Sequence, residues 1–191
     1  MREVSIQLPA LPHNRYALHE MAYAFMLGEG SDKTRDFLFA IDEAAPGIVI
    51  RSDNLPDTVA QHADDVALPV EGCTYRFVLT AHPTRCIRVD QRNGGQRGKR
   101  VMLRRGDDEG RMDWLKARGL KHGFVVEQVA LRTEFRHVMR NEAKIGKDGL
   151  DFTTFTGALR VTDADALTDA MKIGIGPAKS YGMGMLRLFP A

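Results

Sequence analysis

The apolar residues of positions 4–81 change period in a fixed order, and that order restricts the fold more than any other feature of the chain. Val4-Ser5-Ile6-Gln7-Leu8 alternates apolar and polar, as a strand with one buried face does. Pro9 and Pro12 break it, and Asn14 is placed to cap a helix. Leu18, Met21, Ala22 and Phe25 then recur at the spacing of one helical face, ended by Gly28 and Gly30. Residues 37–41 and 47–51 read as two strands around an Ala-Ala-Pro-Gly turn, 56–62 as a short helix, and 74–81 as a strand stopped by Pro83. Strand, helix, strand, strand, helix, strand is the ferredoxin-like unit.

The second half follows the same order. Residues 99–103 read as a strand, and 107–118 as a helix carrying Trp114 in a core pattern and capped by Gly119. Residues 124–139 form a long strand-like run with room for a bend, 141–149 a polar loop or hairpin tip, and 152–161 a strand. A helix capped by Thr162 or Asp163 runs to Lys172, a glycine-rich segment follows, and 185–189 is the last strand. The expectation is an α+β protein with antiparallel sheets: two tandem ferredoxin-like (RRM-like) domains, 1–83 and 99–191, joined by a basic linker, 84–98.

Apolar residues make up 43% of the 191 positions, enough for packed cores, so disorder is not the default. No run of eighteen apolar residues occurs, and Met1-Arg2-Glu3 opens no long apolar stretch. Neither a membrane helix nor a signal peptide is expected, and the cytoplasm is the expected location. Cys73 and Cys86 make no CxxC spacing and read as reduced, partly buried thiols.

The net charge of +2 conceals a polarised distribution. Arg85, Arg88, Arg92, Arg97, Lys99, Arg100, Arg104 and Arg105 crowd one window in which Asp90 is the sole acid. Arg132, Arg136 and Arg140, at even spacing, would share one face of a regular strand, with Lys144 and Lys147 beyond them. Clustered cations gain affinity for a polyanion by releasing its counterions; the alternative is a solvated surface. The segment 174–186, GIGPAKSYGMGML, is the most specific local feature. It is no Walker A loop, because Ala178 stands where glycine must precede Lys-Ser. It is no dinucleotide loop, because Lys179 replaces the third glycine. On residues alone it is a helix-to-strand connection or an anion-binding loop.

This segment, with Gly174, Gly176, Gly182 and Gly184, resembles the C-terminal glycine-rich signature of the CasE family of CRISPR RNA endoribonucleases. Tyr16-Ala17-Leu18-His19 resembles the family's Tyr/His helix, Arg35-Asp36-Phe37-Leu38-Phe39 its second strand, and Tyr75-Arg76-Phe77-Val78-Leu79-Thr80-Ala81-His82-Pro83 the strand closing its first domain. The resemblance covers nearly the whole chain. It implies cleavage of CRISPR repeat RNA at the base of its hairpin, with neither metal nor cofactor. It also implies retention of the processed RNA in Cascade beside the other subunits, especially the crRNA-binding backbone subunit.

RNA cuts itself when its 2′-OH is deprotonated and attacks the adjacent phosphate, giving a 2′,3′-cyclic phosphate and a 5′-OH. A catalyst supplies a base, an acid and donors for the phosphorane oxygens. On the resemblance His19 is the catalytic candidate; base and acid roles both stay open. Tyr16, three residues earlier, lies beside it and orients the 2′-OH, shares the proton transfer or packs on the sheet. His13, His62, His82, His122 and His137 show no metal spacing and read as surface or structural residues. Lys179 either offsets phosphate charge or holds the loop, and Ser180 either donates to RNA or caps the loop. Arg92, Arg97, Lys99, Arg100, Arg132, Arg136, Arg140, Lys144 and Lys147 are the further RNA-binding candidates. The rival expectation is a noncatalytic RNA-binding subunit on the same fold.

Overall fold

In a computed structural model of the chain, the described residues are 1–12, 14–27, 35–42, 45–90, 95–137 and 149–191, without the side chains of 136, 137 and 149. The first unit contains β1 (Arg2–Gln7), α1 (Arg15–Leu27), β2 (Phe37–Asp42), β3 (Gly47–Ser52), α2 (Asp57–Ala60) and β4 (Asp64–Asp65). Its strands lie in the order β2-β3-β1-β4, all antiparallel. The second unit opens with β5 (Thr74–Ala81) and detours through an antiparallel ribbon, β6 (Thr84–Asp90) and β7 (Gln96–Met102). It continues through α3 (Asp108–Lys121), β8 (Phe124–His137), β9 (Gly149–Val161), α4 (Ala164–Ile173) and β10 (Leu186–Pro190). Its sheet order is β10-β5-β9-β8. Each sheet places its strands as fourth, first, third, second, so both units are ferredoxin-like.

The strand 74–81, expected to close the first domain, pairs instead with β9 and β10 and opens the second unit. The first sheet is closed by the two-residue β4, whose Asp64 and Asp65 carry no apolar alternation. A search by period therefore passes over β4 to the next apolar run. The change of sheet falls between Asp65 and Thr74 rather than at 83. The segment expected as a basic linker forms most of the β6–β7 ribbon, and the strand expected at 99–103 is the end of β7.

Local signals account for most element ends. Asn14 Oδ1 accepts from the Tyr16 N–H at 3.0 Å, Asp107 Oδ1 from Gly110 at 3.0 Å and Asp163 Oδ1 from Ala166 at 2.9 Å. Helix α1 buries Leu18, Ala22 and Met26, while Phe25 points outward. Gly119 does not cap α3 but lies within it. A Cβ there would sit 2.5 Å from the Phe124 carbonyl oxygen, so the glycine lets α3 pack against the start of β8. The bend in β8 is a register shift between Val126 and Gln128. Cys73 and Cys86 are both exposed, not partly buried, because each sits at the edge of the second unit or on its ribbon.

Each unit has its own core. Leu18 and Ala22 of α1 cover Phe39, Ile48 and Ile50 in the first. Trp114 and Leu115 of α3 and Leu167 of α4 cover Phe77, Leu79 and Phe155 in the second. The first sheet is also covered on its other face: β3 is buried at all 6 positions. Leu38, Ala40 and Val49 form a small cluster there with Met185 of the second unit. At its edge Arg51, 2% exposed, donates to the carbonyls of Met171 at 3.1 Å and Leu186 at 2.8 Å. Its other nitrogens pair with Glu3. One guanidinium thus ties the first sheet to the end of α4 and the start of β10. Burial pushes its pKa down, Glu3 opposes the shift, and an arginine so paired keeps its charge.

Arg51→Ala would leave Glu3 only its longer contact to Arg187, at 3.6 Å, and two carbonyls without this donor. Urea denaturation should show a loss of roughly 3–5 kcal/mol; an unchanged midpoint would mean the units are held together without this residue.

Candidate active site

The glycine-rich loop joins α4 to β10. At its base the Ile175 N–H donates to the Gly184 carbonyl at 2.8 Å, and the Gly184 N–H to Thr80 of β5 at 2.7 Å. Gly184 has φ +86, and a Cβ on it would lie 2.7 Å from the Ile175 carbonyl oxygen. Gly182 has φ +76, and a Cβ there would lie 2.8 Å from the Phe39 ring. Side chains at these positions would lift the loop from β2 and β5. Gly174 and Gly176 make similar close approaches, to Leu38 and to Trp114. Between them, Lys179–Tyr181 forms a short 3₁₀ turn that packs on α1 of the first unit.

This docking brings His19 Nδ1 to 2.9 Å from the Ser180 carbonyl oxygen. A carbonyl only accepts, so Nδ1 carries the proton and the neutral ring keeps a lone pair on Nε2. Tyr16 lies beside the imidazole, with ring centroids 5.5 Å apart. Tyr23 is nearer, at 4.2 Å, and is itself held edge-on by Phe37 at 5.2 Å. Tyr181 completes the aromatic surround at 6.1 Å. Tyr23 stands four residues after His19, so helical spacing alone could have picked it out. Ser180 enters through its backbone carbonyl, an interaction no side-chain motif encodes.

A cleft of about 730 Å³ opens next to this cluster, bordered by Tyr23 and Ser180. Lys179 and Arg100 line it, and so do Arg35, Arg118, Lys121 and His122, which the sequence did not single out. Arg118 and Lys121 are legible in sequence only as last-turn cations that offset a helix dipole. Lys179 has its pKa lowered, first by burial and then by the charge of Arg35. That of His122 is lowered by burial, then by Lys121, Arg118 and Lys179.

Among the described residues, the remaining candidates do not converge on this place. Strand alternation puts Arg97 and Lys99 on the opposite face of the ribbon from Arg100, and all three are exposed. Arg132 pairs with Glu134 at 2.9 Å and lines a separate groove of about 410 Å³ with Arg15 and Phe152. Arg136 is placed in the backbone opposite Leu150, with its side chain outside the description. Arg92, Arg140, Lys144 and Lys147 lie outside the described residues, as does His13. His82 is buried, with Nδ1 bonded to the Asp151 carbonyl, a structural use.

Fold and loop define the chain as a tandem ferredoxin-like protein whose glycine-rich loop closes over a helix histidine. Residues 4–190 match the model of a family described as CRISPR associated protein. The chain is 30% identical over 186 residues, 92% of each sequence, to the CRISPR system Cascade subunit CasE of Escherichia coli (strain K12). It superposes on the crystal structure of Cas6e from E. coli K-12 with a TM-score of 0.74, at 24% identity over the whole of both chains. Thermus thermophilus Cse3, solved with an RNA representing a pre-cleavage complex, gives 0.72 at 21% identity, over 99% of this chain and 98% of that one. The chain belongs to the CasE family of CRISPR-associated proteins.

Two outcomes test this geometry. Nitrogen NMR on neutral His19 should find the proton on Nδ1; a proton on Nε2 would contradict the Ser180 bond. Because the folded protein depresses the pKa of His122, the unfolded chain takes up that proton first as pH falls below the ordinary histidine value of 6.5. Stability is then lost on acidification. His122→Gln should flatten this part of the curve in urea midpoints between about pH 7.5 and about pH 5.5; equal slopes in both proteins would refute it.

Proposed function

We propose that this chain is a metal-independent endoribonuclease that cuts CRISPR repeat RNA at the base of its hairpin and keeps the product within Cascade. The observation that carries the proposal is the bond between His19 Nδ1 and the Ser180 carbonyl, which leaves Nε2 as the atom that moves protons. Supporting it are membership of the CasE family, the relative named as a Cascade subunit, and the relative solved with RNA.

The ribose 2′-oxygen attacks the adjacent phosphorus while its proton passes to a base, and the bond from phosphorus to the 5′-oxygen breaks as that oxygen gains a proton. The products are a 2′,3′-cyclic phosphate and a 5′-OH. Neutral His19 accepts at Nε2 and suits the first transfer; the protonated ring suits the second. Tyr16 borders the ring and is placed to orient the 2′-OH or share its proton. The Lys179 ammonium, which lines the neighbouring cleft one residue before Ser180, offsets charge on the phosphorane oxygens. The loop glycines Gly174, Gly176, Gly182 and Gly184 hold Ser180 against α1.

The hairpin stem is an A-form duplex, read through shape and phosphates. The outward face of the ribbon with Arg97 and Lys99, and the end of β8 from Arg132 through Arg136, supply cations for it. Arg92, Arg140, Lys144 and Lys147 extend the same two sets in sequence. Other Cascade subunits, above all the crRNA-binding backbone subunit, are the protein partners of this reading.

A labelled repeat hairpin incubated with the protein in EDTA should be cut to a cyclic-phosphate end. His19→Ala should retain hairpin binding and lose about 10²–10⁴-fold in single-turnover rate. Wild-type cutting by that variant would remove His19 from the chemistry, and binding without cutting by the wild type would favour a noncatalytic RNA-binding subunit.

A further inference from the structure

The cleft beside His19 collects cations from four separate places in the chain: Arg35 ahead of β2, Arg100 of β7, the end of α3 with Arg118, Lys121 and His122, and Lys179 of the glycine loop. Among the described residues, no carboxylate lines it. Among the described residues, none of the five Arg and Lys side chains has an acidic partner within ion-pair distance. Elsewhere Arg51, Arg105, Arg132, Arg160 and Arg187 are all paired with acids. A helix C-terminus accounts for cations at Arg118 and Lys121 but not for three more converging from other elements. Burial first, and then like charge, disfavours the cationic forms within the cleft: Arg35 acts on Lys179, and Lys121, Arg118 and Lys179 act on His122. A site that holds unneutralised like charges together is matched to an anion.

We infer that Arg35, Arg100, Arg118, Lys121, His122 and Lys179 form a second phosphate subsite, which takes the backbone phosphates of an unpaired RNA strand leaving the cut. The inference rests on the nuclease proposal, which places the scissile phosphate at His19. The cleft shares Tyr23 and Ser180 with the surround of that histidine, so a strand passing through the site continues into it. Its walls are a loop, a helix end and a ribbon, and it is concave. A duplex presents its phosphates on a convex outer surface, whereas a single strand follows a cationic groove. The subsite therefore holds unpaired nucleotides and leaves the stem to other surfaces.

Two RNAs separate the possibilities: a repeat hairpin ending at the cut, and the same hairpin with an unpaired extension beyond it, with a 2′-deoxy residue at the cleavage position to block cutting. Arg118→Gln/Lys121→Gln should weaken binding of the extended RNA about tenfold and reduce its salt slope by about 1–1.5, as expected for two lost single-strand phosphate contacts. The hairpin ending at the cut should bind the double variant as it binds the wild type. Lys121→Gln alone, at an exposed position, should give part of the effect and decides the matter if the double variant does not fold. Equal weakening on both RNAs would assign these cations to the stem, and no weakening on either would leave the cleft without this role; each overturns the subsite. A wild-type protein that neither binds nor cuts repeat RNA would instead overturn the nuclease proposal itself.

Discussion

A backbone carbonyl from near the end of the chain meets an imidazole near its beginning, and the candidate site exists only while that contact holds. The bond between His19 and Ser180 spans 161 residues. It requires the second unit to sit on the first sheet closely enough for a loop to reach α1. Met185 fills the apolar seam, Arg51 links the polar edge to Met171 and Leu186, and Gly182 and Gly184 remove the side chains that would hold the loop away. Each contributes through ordinary packing or hydrogen bonding. Together they fix the imidazole tautomer, a chemical property, by means of how two domains dock.

The cleft beside the site shows the opposite tendency. Stability alone would place an acid among Arg35, Arg118, Lys121 and Lys179, as the chain places Glu3 beside Arg51 and Arg187. Leaving them unpaired costs the protein some self-repulsion, which adds to burial in lowering the pKa of Lys179 and of His122. A chain that keeps such a feature against its own folding preference has reserved that surface for something that binds.

How much was legible in the sequence depended on the range of the interaction. Asn14, Asp107 and Asp163 cap helices through neighbours two or three residues away; the sequence points to Asn14 and to Thr162 or Asp163 as caps, and to 107 as a helix start. Tyr16 and His19 share a helix, so their adjacency followed from spacing. Strand 74–81 is legible as a strand but not as a member of the second sheet, because its pairing partners lie 72 or more residues away, and β4, at two acidic residues, offers no pattern to find. Gly119 was mistaken for a cap because its true constraint is the Phe124 carbonyl, visible only once α3 and β8 are packed. The cationic cleft escaped for the same reason: its members come from four places, and no window of sequence contains them together.

The β6–β7 ribbon stands apart from both cores. Nearly every side chain along it meets water, and it interrupts the second unit between its first strand and first helix without joining either sheet. Surface positions of this kind are close to neutral for folding when substituted. The ribbon is therefore the part of the molecule where mutation is cheapest, and where the pattern of cations can drift without disturbing the histidine. If the ribbon meets the repeat hairpin as proposed, its contacts to that RNA can be altered while the bond between His19 and Ser180 stays in place.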